Sequence, residues 1–280
     1  MQTVYSLHKI NQSNHFPFDA NAYSRFKFGD DRAAELFGLA LAKGFIKNHL
    51  VNKRNTEQIV VISSPYSFIP TATFALKDHF ISELNKWLAA ENKPVVQETK
   101  IHRSITYKED YGELDAEQRM NLISKDIFHI DTSFLTNKTL VFLDDIKITG
   151  SHERMITKML HEFKVTNEVY LLYYAELINS RIHPSIENTL NYYSVKSIFD
   201  LKKIVRQERF RINTRLVKYV LNSVEDQFLI FTQEQSTYFL NQLYNMALGN
   251  GYHLIGAYTK NIAALKKLVT SDQLISKAIL

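Results

Sequence analysis

Leu140-Val141-Phe142-Leu143-Asp144-Asp145-Ile146-Lys147-Ile148-Thr149-Gly150-Ser151 is the stretch from which the fold is read. Four apolar residues run directly into two adjacent carboxylates. A short loop holding Thr, Gly and Ser follows. Ile156, Met159, Leu160 and Phe163 then recur at helical spacing. This order predicts a buried strand over residues 139–143 that delivers two acids to the rim of a sheet. Backbone N–H groups at the start of the following helix form an anion cradle. Thr149, Gly150, Ser151 and His152 would supply it. Side chains alternate along a strand, so one acid faces a ligand while the other holds a metal, a hydroxyl or the loop backbone. Strand-tip acids also serve simply to cap the next turn. The cradle beside them favours the ligand reading, and a sugar phosphate with free hydroxyls needs both features.

Outward from this stretch, Ile59-Val60-Val61-Ile62 reads as another buried strand, ended by Ser63-Ser64-Pro65-Tyr66. Residues 33–46 and 72–88 carry apolar faces at helical spacing, with Asp30 or Asp31 as the N-cap of the first. Residues 95–101 are expected to be a strand, 103–119 a charged loop, 169–175 a strand and 192–195 a weak fifth strand. Residues 1–29 show no clean period. Strands alternating with helices from about residue 59 to 196 predict an α/β fold, a mostly parallel sheet flanked by helices. Ligands of such sheets bind at the C-terminal ends of the strands. Beyond residue 200 helix follows helix. The expected organisation is a domain over 1–200 and a helical C-terminal extension over 201–280.

The 280 residues suffice for one large domain or one plus a smaller one. The absence of cysteine excludes a disulfide framework, a Cys-ligated zinc site and a Cys nucleophile. No signal-peptide layout is seen, and no apolar run nears the roughly 20 residues of a membrane span. A cytoplasmic protein with no membrane partner is expected. The formal charge of +5 suits anionic small molecules. No nucleic-acid-binding module is recognised, so nucleic acid is not an expected partner. The ten histidines lack the His-Glu-x-x-His spacing or any other tight ligand pattern.

Residues 140–152 resemble the phosphoribosyl-pyrophosphate-binding motif of type I phosphoribosyltransferases. Tyr23-Ser24-Arg25-Phe26-Lys27-Phe28-Gly29-Asp30, Ser63-Ser64-Pro65-Tyr66 and Ile101-His102-Arg103-Ser104-Ile105-Thr106-Tyr107 extend the likeness. Together they are similar to an orotate-phosphoribosyltransferase-like subgroup associated with bacterial tellurite-resistance-type gene clusters. The resemblance implies displacement of pyrophosphate from phosphoribosyl pyrophosphate by a nitrogenous acceptor, with magnesium as cofactor. It implies that Asp144 and Asp145 take the ribose hydroxyls and meet magnesium indirectly, through the donor. Thr149, Gly150, Ser151 and His152 would take the 5-phosphate. Ser63, Ser64, Pro65 and Tyr66 would take pyrophosphate, with a cis Ser64–Pro65 bond as one form of that turn. Lys100, Arg103 and Lys108 are the implied catalytic cations, and a loop over 104–118 would close the site. Members of the family often dimerise, so a homodimer is among the implied states.

Two positions depart from the pattern. Ile148 stands where Thr or Asp is usual, which argues against hypoxanthine-type salvage, because an apolar side chain exchanges no proton with a purine. His152 replaces the usual Thr. The same fold also serves regulators that sense the donor without catalysis, and the absence of a basic residue from the turn at 63–66 keeps that alternative open. The stretch from Tyr23 to Arg32 has two readings: a base-stacking or phosphate-binding lip, or a packed arm whose Arg25 and Lys27 face water. Replacing Asp144 and Asp145 together by Asn is expected to abolish donor binding and leave the fold intact, as donor titration of the folded variant would show.

Overall fold

The computed structural model describes residues 2–53, 57–103 and 128–278. Its centre is a five-stranded sheet in the order β1-β7-β6-β2-β3, every pairing parallel. These strands are β1 (Gln2–Ile10), β2 (Ile59–Ser63), β3 (Gln97–Thr99), β6 (Thr139–Lys147) and β7 (Val169–Leu177). A separate antiparallel pair joins β4 (His102–Arg103) to β5 (Phe128–His129).

Helices cover both faces of the sheet. α1 (Ala20–Lys27), α2 (Asp31–Phe45) and α3 (Ala72–Ala90) pack with Val61, Val141, Leu143 and Leu172. A short α4 (Thr132–Leu135) precedes β6, and α5 (Ser151–Glu162) packs with Leu140, Phe142 and Leu171 on the other face. Odd and even residues of β6 thus part to opposite cores, as strand alternation requires. Being covered on both faces explains why β6 reads as a continuous apolar run. Asp19 caps α1 by accepting from the N–H groups of Asn21 and Ala22, and Asp30 caps α2 through those of Arg32 and Ala33.

The parallel sheet and its flanking helices match the sequence expectation, with two corrections. The fifth strand is β1, not residues 192–195, which form turns and bends after α6 (Ile186–Asn191). β1 is an edge strand, so only part of it is buried and its apolar signal is diluted. Its polar residues are met by its neighbour: Ser6 Oγ donates to Glu176 Oε2, and Lys9 pairs with the same carboxylate. The second correction concerns β6, which continues past Leu143 to Lys147 alongside β7.

The remaining helices are α7 (Leu201–Val205), α8 (Thr214–Leu221), α9 (Glu225–Gln233), α10 (Thr237–Gly249) and α11 (Thr259–Ala278). Among the described residues, no helix is long and apolar enough to cross a membrane. The core of this helical region also takes in Phe28 and Ile69 from earlier in the chain. A polar seam holds the two together. Asp31 is 6% exposed, accepts from His79 Nε2 at 2.9 Å and Arg209 Nη2 at 3.1 Å, and forms an ion pair with Arg211, whose Nε lies 2.9 Å away. Gly29, at φ +103°, lets the strand of chain at Arg211 pass so closely that a Cβ would lie 2.3 Å from the Arg211 carbonyl oxygen.

Asp31→Asn should lower stability by about 1–3 kcal/mol, since it strips three donors of a charged acceptor at this seam. Urea denaturation of the two proteins measures it.

Candidate functional site

A cavity of about 950 Å³ opens at the C-terminal ends of β2 and β6. Its position follows from a mismatch in strand length. β2 stops pairing at Ser63, opposite Leu143. β6 runs on beside β7 as far as Lys147, opposite Glu176. Beyond Leu143 the flank of β6 therefore lacks a strand neighbour. Asp144 and Asp145 sit on that open flank rather than at a strand tip, and alternation sends them to opposite faces.

Asp145 is buried, 5% exposed, at the cavity lining. It forms an ion pair with Lys27 and accepts from the hydroxyl of Tyr23, both on α1, and from Thr73 Oγ1 at 3.1 Å, on α3. Tyr23 and Lys27 are four residues apart, so one face of α1 delivers both. Burial alone would push the Asp145 carboxyl up. The Lys27 ammonium and the hydrogen bonds from Lys27 and Tyr23 outweigh burial and hold it at about 2. The packed-arm reading of residues 23–32 thus holds for Tyr23, but Lys27 does not face water: its side chain is 10% exposed.

Asp144 is more open. Its Oδ1 accepts from Ser64 Oγ at 3.1 Å, from Thr73 Oγ1 at 3.3 Å and from the Asp145 N–H at 3.0 Å. Its Oδ2 lies 2.8 Å from His152 Nδ1. Three elements thus orient one carboxylate that lines the cavity: the turn after β2, the start of α3 and the start of α5.

The small-residue loop lies where the sequence placed it. Gly150 is the N-cap of α5 at φ +69°, a left-handed conformation that glycine adopts without strain. No side chain caps the helix start. Thr149 Oγ1 and Ser151 Oγ are instead 2.7 Å apart, and Arg154 donates to Thr149 O and to Ser151 Oγ. The N-cap Gly150 thus offers no side-chain acceptor to the opening N–H groups of this twelve-residue helix, which start at the cavity wall. Lys147, next to the loop, pairs with Glu153 and Glu176. Partial burial would lower its pKa, and those two carboxylates raise it instead.

Ser63, Ser64, Pro65 and Tyr66 line the same cavity. No peptide bond among the described residues is cis, so Ser64–Pro65 is trans, contrary to the cis form considered from the sequence. Thr71 and Thr73, at the start of α3, lie beside this turn, and the buried Thr71 hydroxyl has no partner among the described residues. Lys100 reaches the turn from after β3. Its ammonium stands 3.9 Å from the centre of the Tyr66 ring and donates to Ser67 O at 3.3 Å. Partial burial lowers its pKa. A cation therefore serves the turn even though none lies within it. Arg103 lies in β4 opposite Phe128. Lys108 and the loop over 104–118 lie outside the described residues.

Sequence reasoning missed Thr73, the role of Lys27, and Lys218 of α8, which with Arg215 lines the far wall of the cavity. The four-residue spacing of Tyr23 and Lys27 was a readable signal that both face one way. No local signal ties residues 215 and 218 to residue 144.

A family model described as PRTase ComF-like matches residues 1–265. No curated protein gives a significant sequence match. Among solved structures, a hypoxanthine phosphoribosyltransferase from Staphylococcus aureus is 12% identical, with 54% of this chain and 76% of that chain covered and a TM-score of 0.32. A hypoxanthine-guanine phosphoribosyltransferase from L. donovani is 16% identical, with 53% and 70% covered and a TM-score of 0.31. A hypoxanthine phosphoribosyltransferase from Trypanosoma cruzi, complexed with the product IMP, is 14% identical, with 55% and 77% covered and a TM-score of 0.30.

The enclosure of Asp145 revises the expectation for the paired acids. Asp145→Asn leaves Lys27 buried without a counter-charge and should cost about 3–5 kcal/mol. Asp144→Asn should cost far less. The folded pKa of Asp145, about 2, lies below the ordinary carboxylate value of about 3.9. The pair therefore stabilises the fold above about pH 4, and that contribution fades as pH falls towards 2. Denaturation curves of the parent protein and Asp145→Asn between pH 6 and 2 should converge over that window; parallel curves would refute the linkage.

Proposed function

The chain belongs to the ComF-like phosphoribosyltransferase family, and on that premise we propose that its cavity binds phosphoribosyl pyrophosphate and passes the phosphoribosyl group to a small nitrogenous acceptor. The observation that carries this reading is a convergence. Asp144 and the starts of two helices, α3 and α5, meet on one cavity. Helix starts favour anions, and a ribose hydroxyl suits a carboxylate.

The open first turn of α5, with Thr149, Gly150, Ser151 and His152, would take the 5-phosphate. The turn at 63–66 and the start of α3, with Lys100 beside them, would take pyrophosphate. Arg103 and Lys108 remain proposed partners of the same leaving group, by resemblance. Asp144 would accept from the ribose hydroxyls. Asp145 would act through its neighbours, locked by Lys27. In the reaction the acceptor nitrogen forms a bond to the anomeric carbon. The bond from that carbon to pyrophosphate breaks, and pyrophosphate leaves with the electron pair. Positive charge develops on the sugar, so a fixed carboxylate near the ribose lowers the barrier electrostatically.

Magnesium is the implied cofactor. Among the described residues, no cluster of three His, Cys, Asp or Glu side chains could hold a metal. The oxygens of Asp144, Ser64 and Thr73 nevertheless form a hard donor set, which fits an ion held mainly by the donor's own oxygens and water. Bound, it would offset the charge of the leaving pyrophosphate. We also propose a cytoplasmic setting and membership of the orotate-phosphoribosyltransferase-like subgroup named above, on the phrases at 23–30, 63–66 and 101–107.

One observation favours a second reading, a donor sensor without turnover. Lys27 already pairs with Asp145, so Asp144 is the more open acid of the pair. Calorimetric titration with phosphoribosyl pyrophosphate, with and without magnesium, tests donor binding. Asp144→Asn should weaken affinity about tenfold or more, equal to about 1.4 kcal/mol; unchanged affinity would sink the ribose assignment. Pyrophosphate release with added heterocyclic bases supports the enzyme, and tight binding with no release for any base supports the sensor.

A further inference from the structure

The segment that runs from the turn at 63–66 to the start of α3 has no regular structure of its own. Residues 64–71 form neither helix nor strand, and Pro65 and Pro70 stand near its two ends. Proline lacks an N–H and biases the residue before it towards extended backbone, which interrupts both helix and sheet pairing here. The backbone groups of the segment must therefore be met by side chains or by distant backbone. Up to Ser67 the sheet side supplies the hold, through Lys100 on the Tyr66 ring and on the Ser67 carbonyl. From Phe68 onward the hold passes to the helical region.

Asn250 Oδ1 accepts from the Phe68 N–H at 2.9 Å and from the Ile69 N–H at 3.0 Å. Two donors facing one amide require its oxygen, which fixes the orientation of the Asn250 side chain. Its Nδ2 donates to the hydroxyl of the fully buried Tyr252 at 3.0 Å. Thr214, the first residue of α8, answers the carbonyls: its Oγ1 donates to Ile69 O at 2.7 Å, and its N–H donates to Pro70 O at 2.9 Å. Ile69 is fully buried in the core of the helical region. The Phe68 ring lies so close over Gly249 that a Cβ there would meet it at 2.2 Å. Residues 68–70 are thus clasped by Thr214 and by residues 249–252. The clasp lies between the turn at 63–66 and the start of α3, and Asn250 and Thr214 both reach the cavity lining.

We propose that Asn250 is a positioning residue for the pyrophosphate side of the cavity. By holding residues 68 and 69 it sets the spacing between the turn at 63–66 and the first turn of α3. Those are the two elements that the donor reading gives to pyrophosphate, and this inference rests on that reading. Binding groups carried on an irregular segment are only as precise as its anchors. The helical region after residue 200 is thereby a working part of the donor site.

The test uses the full chain and its variants Asn250→Ala, Asn250→Asp and Thr214→Val. Hydrogen exchange followed by NMR reads the clasp. In Asn250→Ala the Phe68 and Ile69 amides should exchange about tenfold faster. Asn250→Asp keeps an acceptor oxygen and should retain their protection. Titration calorimetry reads the site. Phosphoribosyl pyrophosphate with magnesium should bind Asn250→Ala about tenfold more weakly. Ribose 5-phosphate, which lacks pyrophosphate, should bind it as it binds the parent chain. If Asn250→Ala does not fold, Thr214→Val should show the same split in smaller measure, because it removes the hydroxyl bond to Ile69 O and keeps the N–H bond to Pro70 O. Faster exchange with unchanged donor affinity overturns the proposal. So does weaker donor binding with unchanged exchange, because the Asn250 amide then touches the donor itself. Equal weakening for ribose 5-phosphate marks a general loss of the site and also overturns it. A parent chain that binds no donor removes the donor reading and this role with it. A parent chain that binds donor, with variants that match it, removes this inference alone.

Discussion

A lysine and a carboxylate enclosed together, Lys27 with Asp145, set the terms for the rest of the site. A buried ion pair repays its desolvation only when further hydrogen bonds satisfy the charges. Tyr23 and Thr73 supply them from α1 and α3, so the pair ties two helices to the central strand. The tie also divides the labour of the two acids. With Asp145 buried against α1 and α3 and paired with Lys27, the more open carboxylate at the cavity is Asp144. Its own orientation is then fixed by Ser64, Thr73 and His152, one from each neighbouring element.

The cavity exists because β2 is shorter than β6. Where β2 leaves the sheet, the exposed flank of β6 needs partners, and buried polar groups without partners are costly. The turn at 63–66 and the first turn of α3 fill that need at their edge and leave the rest as space. On the opposite side, the Asp31 seam and Gly29 bring residues 209–214 against the N-terminal helices. That contact sets where α8 can stand. Two unrelated constraints, a strand register and a charged seam, therefore fix the two walls independently.

Much of this was legible in the chain. β6 and β2 announce themselves because burial on both faces removes polar alternation, and Gly150 marks the left-handed turn that starts α5. The edge strand β1 was hidden by Ser6, His8 and Lys9, since an edge strand needs apolar residues on part of its length only. Residues 192–195 misled in the other direction: aromatic and β-branched residues there pack against Phe28 and the helical core, not into the sheet. One of the two sequence readings left Lys27 in solvent, because a lone lysine usually is solvated. Its partner is a carboxylate 118 residues away, and no local pattern carries that information. Lys218 was hidden in the same way. Of the three cations expected at the leaving group, Lys100 is brought to the turn at 63–66 by packing on Tyr66.

Ile148 shows why the acceptor has to be sought away from the acidic motif. The residue packs partly against the helix-side core while also lining the cavity, and it offers neither donor nor acceptor. The motif's remaining polar groups are engaged: Asp145 with Lys27, Asp144 with its three partners, and Thr149 with Ser151. On the donor reading, those groups are spent on ribose and phosphate. Discrimination between acceptors then falls to side chains that approach from another part of the chain. The charged and aromatic groups of α8 and Tyr192 line the same cavity, and they follow in the chain from the residues held at the Asp31 seam.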